Sequence, residues 1–298
     1  MSGKRVIAVD LGGTKILAGI VDADGRAHEK IERPTVTTSQ AALLDELEQA
    51  VRSLPQDGVV AVGLGVPARI DYRRGVAIAA VNIPLNEIAL IDEMERRLGL
   101  PVGMENDGTC AAYAEYTHGA GRGAHSLVAL TLGTGVGGGV VLDGRVLRAW
   151  TELGHVVIVA DGEPCYGACT GRGHVEAYCS GTAANRIAVR ELGPGASARD
   201  LVALRHPALE ELGHHLGVAI GSIANIFGCD RVVVGGGFGV AAAGLLLPPA
   251  RAAVRREALS PLSESLELEV AQLGADAGLL GAALVAFDAA AAAGVAAT

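Results

Sequence analysis

Aromatic side chains are nearly missing from this sequence: they make up 3% of its 298 residues, with a single Trp. With 50% of the chain apolar, a sizeable core has to be built from aliphatic packing. That apolar share also excludes an intrinsically disordered chain. Cysteine is scarce as well. The five present are an odd, scattered set, unlike the paired framework of a small secreted protein. Basic charge is short, 24 Lys and Arg against 33 Asp and Glu, and the net charge of −9 argues against a general nucleic-acid partner. Near the start, the apolar run Val6–Val9 stops at Asp10, too soon for a signal peptide. Only 277–297 is long and apolar enough to suggest a membrane span. Asp288 inside it would cost about 2.5–3.5 kcal/mol. We read it as a buried C-terminal helix with an Ala tail, its Gly274, Gly278 and Gly281 suited to close helix packing. The expectation is a cytoplasmic chain with no membrane and no nucleic-acid partner.

What the sequence has in excess is glycine, 42 residues, and its placement is informative. Arg5–Asp10 is a β-branched run followed by Leu11-Gly12-Gly13-Thr14, a second strand over Ile16–Val21 and an Asp24-Gly25 hairpin turn. Leu43, Leu44, Leu47 and Val51 give 40–54 a helical period that Pro55 ends. Val59–Val66 predicts a buried strand, Ile88–Leu98 an amphipathic helix and Leu100–Met104 another strand, an alternation that implies an α/β architecture. From Ser126 the opening pattern recurs: a strand over Ser126–Leu132, a glycine turn over Gly133–Gly139, a strand over Val140–Leu142 and the turn Asp143-Gly144. Such a weak repeat suggests two related domains, with no tether between them and a cleft where they meet. A helix near Leu209–Phe227, a strand over Arg231–Val234 and a third glycine cluster, Gly235–Gly239, follow.

A glycine turn after a strand lets backbone amides approach an anion without interference from Cβ. The first turn adds the carboxylate of Asp10, the hydroxyl of Thr14 and the ammonium of Lys15 to the amides of Gly12 and Gly13, a set that suits a phosphate with its Mg²⁺. The second, with Gly133, Thr134, Gly135 and Gly137, is a second phosphate cradle. Each alone could be a tight hairpin turn, but two Thr-containing turns in a repeated unit favour phosphate. Gly133-x-Gly135-x-x-Gly138 matches the dinucleotide fingerprint formally, yet it continues as a strand where that motif must open a helix. No P-loop spacing is present. The third turn, with Gly235, Gly236 and Gly237, has no hydroxyl or charge beside it and suits a flat base or ribose.

Asp10-Leu11-Gly12-Gly13-Thr14-Lys15, Glu105-Asn106-Asp107, the Leu132–Gly139 turn and Glu152-Leu153-Gly154-His155 together resemble the ROK family of bacterial sugar kinases and repressors. Order and spacing agree over nearly the whole chain. The resemblance implies the actin-like ATPase (ribonuclease H-like) fold: two related α/β domains around a cleft that holds ATP and sugar, with the C-terminal helix returning to the first domain. We place the small domain at 1–117 plus 286–298 and the large one at 118–285. Repressor members carry an N-terminal DNA-binding module. The first strand here begins at Arg5, which favours the kinase branch.

Phosphoryl transfer to a hydroxyl needs a carboxylate to take its proton. Asp107 follows a strand and so sits where open α/β sheets place ligands, although Asn106-Asp107-Gly108 is equally an ordinary turn sequence. The resemblance decides for the catalytic role. It also implies that Asn82, Asn106, Glu152, His155 and Glu176 hold the sugar, with the backbone at Gly65 lining the same pocket. Two departures from the family pattern bear on which sugar: Ala68 stands where Gly is common, and no Gly-Trp follows Asn82.

His155, Cys165, Cys169 and His174 crowd a glycine-rich stretch and suit a closed tetrahedral zinc site. A Cys165–Cys169 disulfide, disfavoured in a reducing compartment, or plain thiols are the alternatives. The family has one His and three Cys there, so His174 replaces a Cys and Cys165 is displaced. Cys110, Cys179 and Cys229 have apolar neighbours and read as core residues. The resulting expectation is an ATP- and Mg²⁺-dependent hexose kinase with structural zinc, glucose being the first choice of sugar and a homodimer or higher oligomer the expected assembly. Kinases for N-acetylmannosamine, N-acetylglucosamine, fructose or mannose, a polyphosphate-dependent glucokinase and a non-catalytic sugar-sensing relative are the alternatives.

Overall fold

The computed structural model describes residues 3–80, 82–167 and 169–295, so Ala296 and Ala297 at the end of the expected C-terminal helix lie outside the described residues. The chain divides into two compact units, Met1–Ala114 with Arg148–Trp150 and Ala275–Thr298, and Glu115–Leu147 with Thr151–Gly274.

In the first unit, β1 (Arg5–Leu11), β2 (Lys15–Asp22), β3 (Ala27–Pro34), β4 (Val59–Val66) and β8 (Val102–Asn106) form one sheet in the order β3-β2-β1-β4-β8. The β1–β2 and β2–β3 pairs are antiparallel, the β1–β4 and β4–β8 pairs parallel. A second sheet of three strands, β5 (Ala68–Asp71), β6 (Val76–Ala80) and β7 (Asn86–Ile88), was not apparent from local pattern, because its strands are short and only partly apolar. Helices α1 (Gln40–Arg52) and α2 (Leu90–Leu98) follow the expected apolar spacing. Ser39 caps α1, its Oγ accepting from the Ala42 amide at 3.1 Å. Helix α3 (Asp107–His118) starts immediately after β8.

The second unit repeats the plan. Strands β9 (Leu127–Leu132), β10 (Val136–Leu142), β11 (Arg145–Val146), β12 (Arg231–Gly235) and β13 (Glu267–Val270) form a sheet in the order β11-β10-β9-β12-β13. Here β9–β10 and β10–β11 are antiparallel while β9–β12 and β12–β13 are parallel. Position for position, this is the order and sense of the first sheet. The repeated strand–turn–strand pattern of the sequence is therefore a repeat of topology. Helices α4 (Val175–Cys179), α5 (Gly181–Leu192), α6 (Ala198–Ala203), α7 (Ala208–Phe227), α8 (Gly237–Glu257) and α9 (Leu262–Ser265) complete the unit. The C-terminal helix α10 (Ala277–Ala292) belongs to the first unit. It enters whole, so the division falls at 274/275 instead of the expected 285/286.

Glycine sets how α10 packs. Its face lies on β1, β4 and β8. A Cβ on Gly63 of β4 would collide with the Ala282 backbone, one on Gly103 of β8 would lie 2.5 Å from the Val285 carbonyl oxygen, and one on Gly281 would run into the Cys110 carbonyl of α3. In the second unit Gly213 and Gly217 of α7 meet the α8 backbone at Leu246 and Ala250 in the same way. Both α8 and the stretch Gly274–Ala292 that contains α10 are long and apolar enough to cross a membrane by composition, yet about half of each is buried in this fold. The aliphatic core follows the composition: Ile7, Leu11, Leu43, Leu47, Leu64 and Leu90 in the first unit and Leu127 and Leu130 in the second are fully buried. Each contributes about 1.5–3 kcal/mol. Cys110, Cys179 and Cys229 are buried free thiols, as expected. A buried acid without a sequence signal, Glu115, accepts the amides of Gln272 and Leu273 on Oε1, both at 2.9 Å, and that of Ala120 on Oε2 at 2.8 Å.

Candidate active site and metal knuckle

In the first unit the parallel register aligns Asp10 of β1 with Gly65 of β4, and Gly65 with Glu105 of β8. All three close the carboxyl ends of their strands, the edge where open α/β sheets hold ligands. The first glycine turn is closed by the Gly12 amide on the Lys15 carbonyl at 2.9 Å, and Thr35 donates its hydroxyl to the Gly12 carbonyl at 2.7 Å. Asn82 lies beside this turn, its Cβ 3.3 Å from where a side chain on Gly13 would begin. Burial, reinforced by the charge of Asp107 and opposed by Lys15, pushes the Asp10 carboxyl up to about 6. Lys15 has a carboxylate partner of its own, Glu32 on the neighbouring strand at 2.8 Å.

Where β8 runs into α3, Asn106 serves as the helix cap. Its Oδ1 accepts the Gly108 amide at 3.0 Å and its Nδ2 donates to the Ala68 carbonyl at 3.4 Å. Asp107 is thus the acid of the first helical turn, a placement that the turn-like sequence Asn-Asp-Gly left open. Behind it lies a carboxyl that sequence reasoning missed. Glu105 is 1% exposed, and its Oε1 accepts the Tyr72 hydroxyl and the Asn106 amide. Its Oε2 has no hydrogen-bond partner among the described residues, with Arg148 Nε 3.8 Å away. Burial holds this carboxyl above the usual carboxylate range. Arg148 comes from a short returning segment with no sequence signal of its own.

In the second unit the glycine turn is narrower than expected. Strand β10 begins at Val136, and Gly137 pairs with Thr131 of β9. Only Gly133, Thr134 and Gly135 remain in the turn, because pairing with Thr131, Leu130 and Ala129 of β9 draws Gly137, Gly138 and Gly139 into the ladder despite the low strand propensity of glycine. The Gly133 carbonyl accepts the Gly181 amide at 2.7 Å, and the Thr134 carbonyl accepts the Thr182 hydroxyl at 2.7 Å. Glu176 Oε2 accepts the Val136 amide at 2.8 Å. The third cluster is corrected similarly: Gly235 ends β12, Gly236 links at φ 78°, and Gly237 already belongs to α8.

The four expected metal ligands converge. Their donor atoms all lie within 4.8 Å of one another: His155 Nδ1 to His174 Nδ1 is 3.2 Å, His155 Nδ1 to Cys165 Sγ 3.7 Å and His174 Nδ1 to Cys169 Sγ 3.6 Å. Tetrahedral zinc, with bonds of about 2.0–2.1 Å to nitrogen and about 2.3 Å to sulfur, would space its ligands by about 3.3–3.8 Å. The set therefore fits the ion, and both cysteines are free thiols, not a disulfide. The loop is pinched shut by the Cys165 amide on the Gly171 carbonyl at 3.0 Å, and the Gly171 amide donates to Cys169 Sγ at 3.4 Å. Glu152 immediately precedes the short helical turn that carries His155.

The sequence profile of the ROK family matches residues 6–289. The glucokinase of Halalkalibacterium halodurans is 32% identical over 94% of this chain and 94% of its own length. The N-acetylmannosamine kinase of Citrobacter koseri is 34% identical over 94% of this chain and 98% of its own. The structure of a ROK family glucokinase from Streptomyces griseus in complex with glucose and AMPPNP superposes with a TM-score of 0.77 at 32% identity, covering 95% of this chain and 99% of that one. With its actin-like ATPase architecture and these relatives, the chain belongs to the ROK family.

Proposed function

We propose that this protein is an ATP-dependent hexose kinase whose preferred substrate is D-glucose, converted to glucose 6-phosphate with release of ADP. The observation that carries the reading is the place of Asp107, at the carboxyl end of β8 and in the first turn of α3, beside a capping Asn106. In that role Asp107 takes the proton of the sugar hydroxyl as its oxygen bonds to the γ-phosphorus and the bond to the ADP oxygen breaks. Asn82, Asn106, Glu152, His155 and Glu176 are assigned to sugar hydroxyls, with the Gly65 backbone assigned to the same ligand. Asp10, Gly12, Gly13, Thr14 and Lys15 of the first glycine turn, and Gly133, Thr134 and Gly135 of the second, are assigned to phosphate. Gly235 and Gly236 face the base and ribose. The Mg²⁺ that accompanies ATP neutralises phosphate charge. Zinc held by His155, Cys165, Cys169 and His174 is structural, and keeps His155 and Glu176 in place.

Glucose is preferred on the relatives named glucokinase. The relative named N-acetylmannosamine kinase supports a 2-acetamido sugar as the second reading. An ADP-release assay over glucose, mannose, fructose, N-acetylglucosamine and N-acetylmannosamine, with ATP and then polyphosphate as donor, tests both. The expected outcome is the highest kcat/KM with glucose and ATP. A higher value with an acetamido sugar moves the assignment to the second reading, and no turnover with any sugar refutes a kinase.

A further inference from the structure

Glu176 stands one residue into α4, two residues beyond the metal-ligating His174 that precedes the helix. Its carboxylate is engaged on two sides. Oε2 accepts the Val136 amide at 2.8 Å, and Oε1 lies 3.8 Å from Cys165 Sγ. The second glycine turn passes close to the same carboxylate, so that a side chain on Gly135 would displace it. The far side of that turn is held by α5 through Gly181 and Thr182, and α5 follows α4 directly through the shared cap Ser180. One acidic side chain thus bridges the knuckle of His155, Cys165, Cys169 and His174 to the strand end that shapes the turn Gly133–Gly135.

Resting on the kinase reading above, we infer that Glu176 is a positioning residue which couples metal binding at the knuckle to nucleotide binding at the second glycine turn. Metal ligation fixes His174, the residue that precedes α4, and with it the start of the helix. Glu176 then fixes the Val136 amide and the backbone of Gly135 in the shape that receives phosphate. Zinc and nucleotide each order the same segment, so each favours the other, and the coupling is reciprocal. This effect is separate from any contact of Glu176 with sugar, because it operates with no sugar present.

The test is MgADP binding without sugar, by titration calorimetry, on zinc-loaded protein and on protein stripped with 1,10-phenanthroline, which spares Mg²⁺. Stripping should weaken MgADP at least about fivefold, the lower end of usual coupling between sites. MgADP should tighten zinc by the same factor in competition with a chromogenic chelator. Glu176→Ala should retain stoichiometric zinc, bind MgADP as weakly as stripped wild type and show no further response to zinc. Glu176→Gln keeps an oxygen for the Val136 amide and should restore most of the coupling. MgADP affinity indifferent to zinc in folded protein, or coupling that survives Glu176→Ala, overturns the inference and leaves the kinase reading standing. If zinc-loaded wild type binds no MgADP, both fall.

Discussion

Asp10 and Asp107 are electrostatically linked: the charge of Asp107 adds to burial in holding the Asp10 carboxyl up at about 6, with Lys15 pulling the other way. Two acids from different strand ends therefore share one neighbourhood, although 96 residues separate them in the chain. Proximity of this kind is common at functional sites.

The pH dependence follows from that elevation. An acid whose folded pKa lies above its ordinary value of 3.8 favours the fold most at low pH, and this contribution is lost as pH rises towards about 6. Asp10→Asn should remove this component, flattening the stability curve of the ligand-free protein between about pH 4 and 6, read by urea denaturation. Binding of MgADP runs the other way. A cation favours the carboxylate, so affinity should decline as pH falls through about 6 in wild type, and less steeply in Asp10→Asn, where only the terminal phosphate of ADP still titrates there.

For Asp107, the expected outcome of Asp107→Asn is a folded protein that has lost about 10²–10⁴-fold in kcat, the usual contribution of a positioned general base, or more. Circular dichroism and the ADP-release assay measure the two halves of this prediction. Turnover near that of wild type would remove Asp107 from the catalytic role.

Metal content is checked by elemental analysis. Purified protein should carry one zinc per chain, and Cys169→Ser should lose it while retaining the buried thiols Cys110, Cys179 and Cys229. Active wild-type protein free of zinc would refute a structural ion.

Packing under α10 leaves no room for a methyl group at Gly281, whose Cβ would enter the Cys110 backbone. Gly281→Ala should therefore destabilise the protein by about 1–3 kcal/mol, despite the better helix propensity of Ala. A stability equal to or above wild type in chemical denaturation would show that α10 can shift at no cost.

Glu115 offers a parallel test in the second unit. Its two oxygens accept three amides, and Glu115→Gln replaces one acceptor with a donor. The expected loss is about 1–3 kcal/mol, the cost of an unsatisfied buried group.

Much of the architecture was legible in local pattern. Strand Val59–Val66 and the helix ending at Phe227 occur where period and composition place them, because buried strands and amphipathic helices announce themselves within a few residues. Glycine was harder. Gly137 reads as part of a turn but pairs in β10, and Gly63 and Gly103 carry no mark that a helix near the far end of the chain will rest on them. The sheet of β5, β6 and β7 escaped notice because each strand is too short to show a period.

At the candidate site the division is the same. The sequence alone determined which chemistry was on offer: acids and hydroxyls beside glycine turns, and two His and two Cys close enough in the chain to share an ion. Those are properties of residue type and short spacing. Only the tertiary structure decided that Asn106 caps the helix opened by Asp107, that Glu105 is enclosed by Tyr72 and Arg148, and that Glu176 joins the knuckle to a glycine turn. Each of these depends on strand register and helix placement, which bring distant residues within hydrogen-bonding distance and leave no trace in local periodicity.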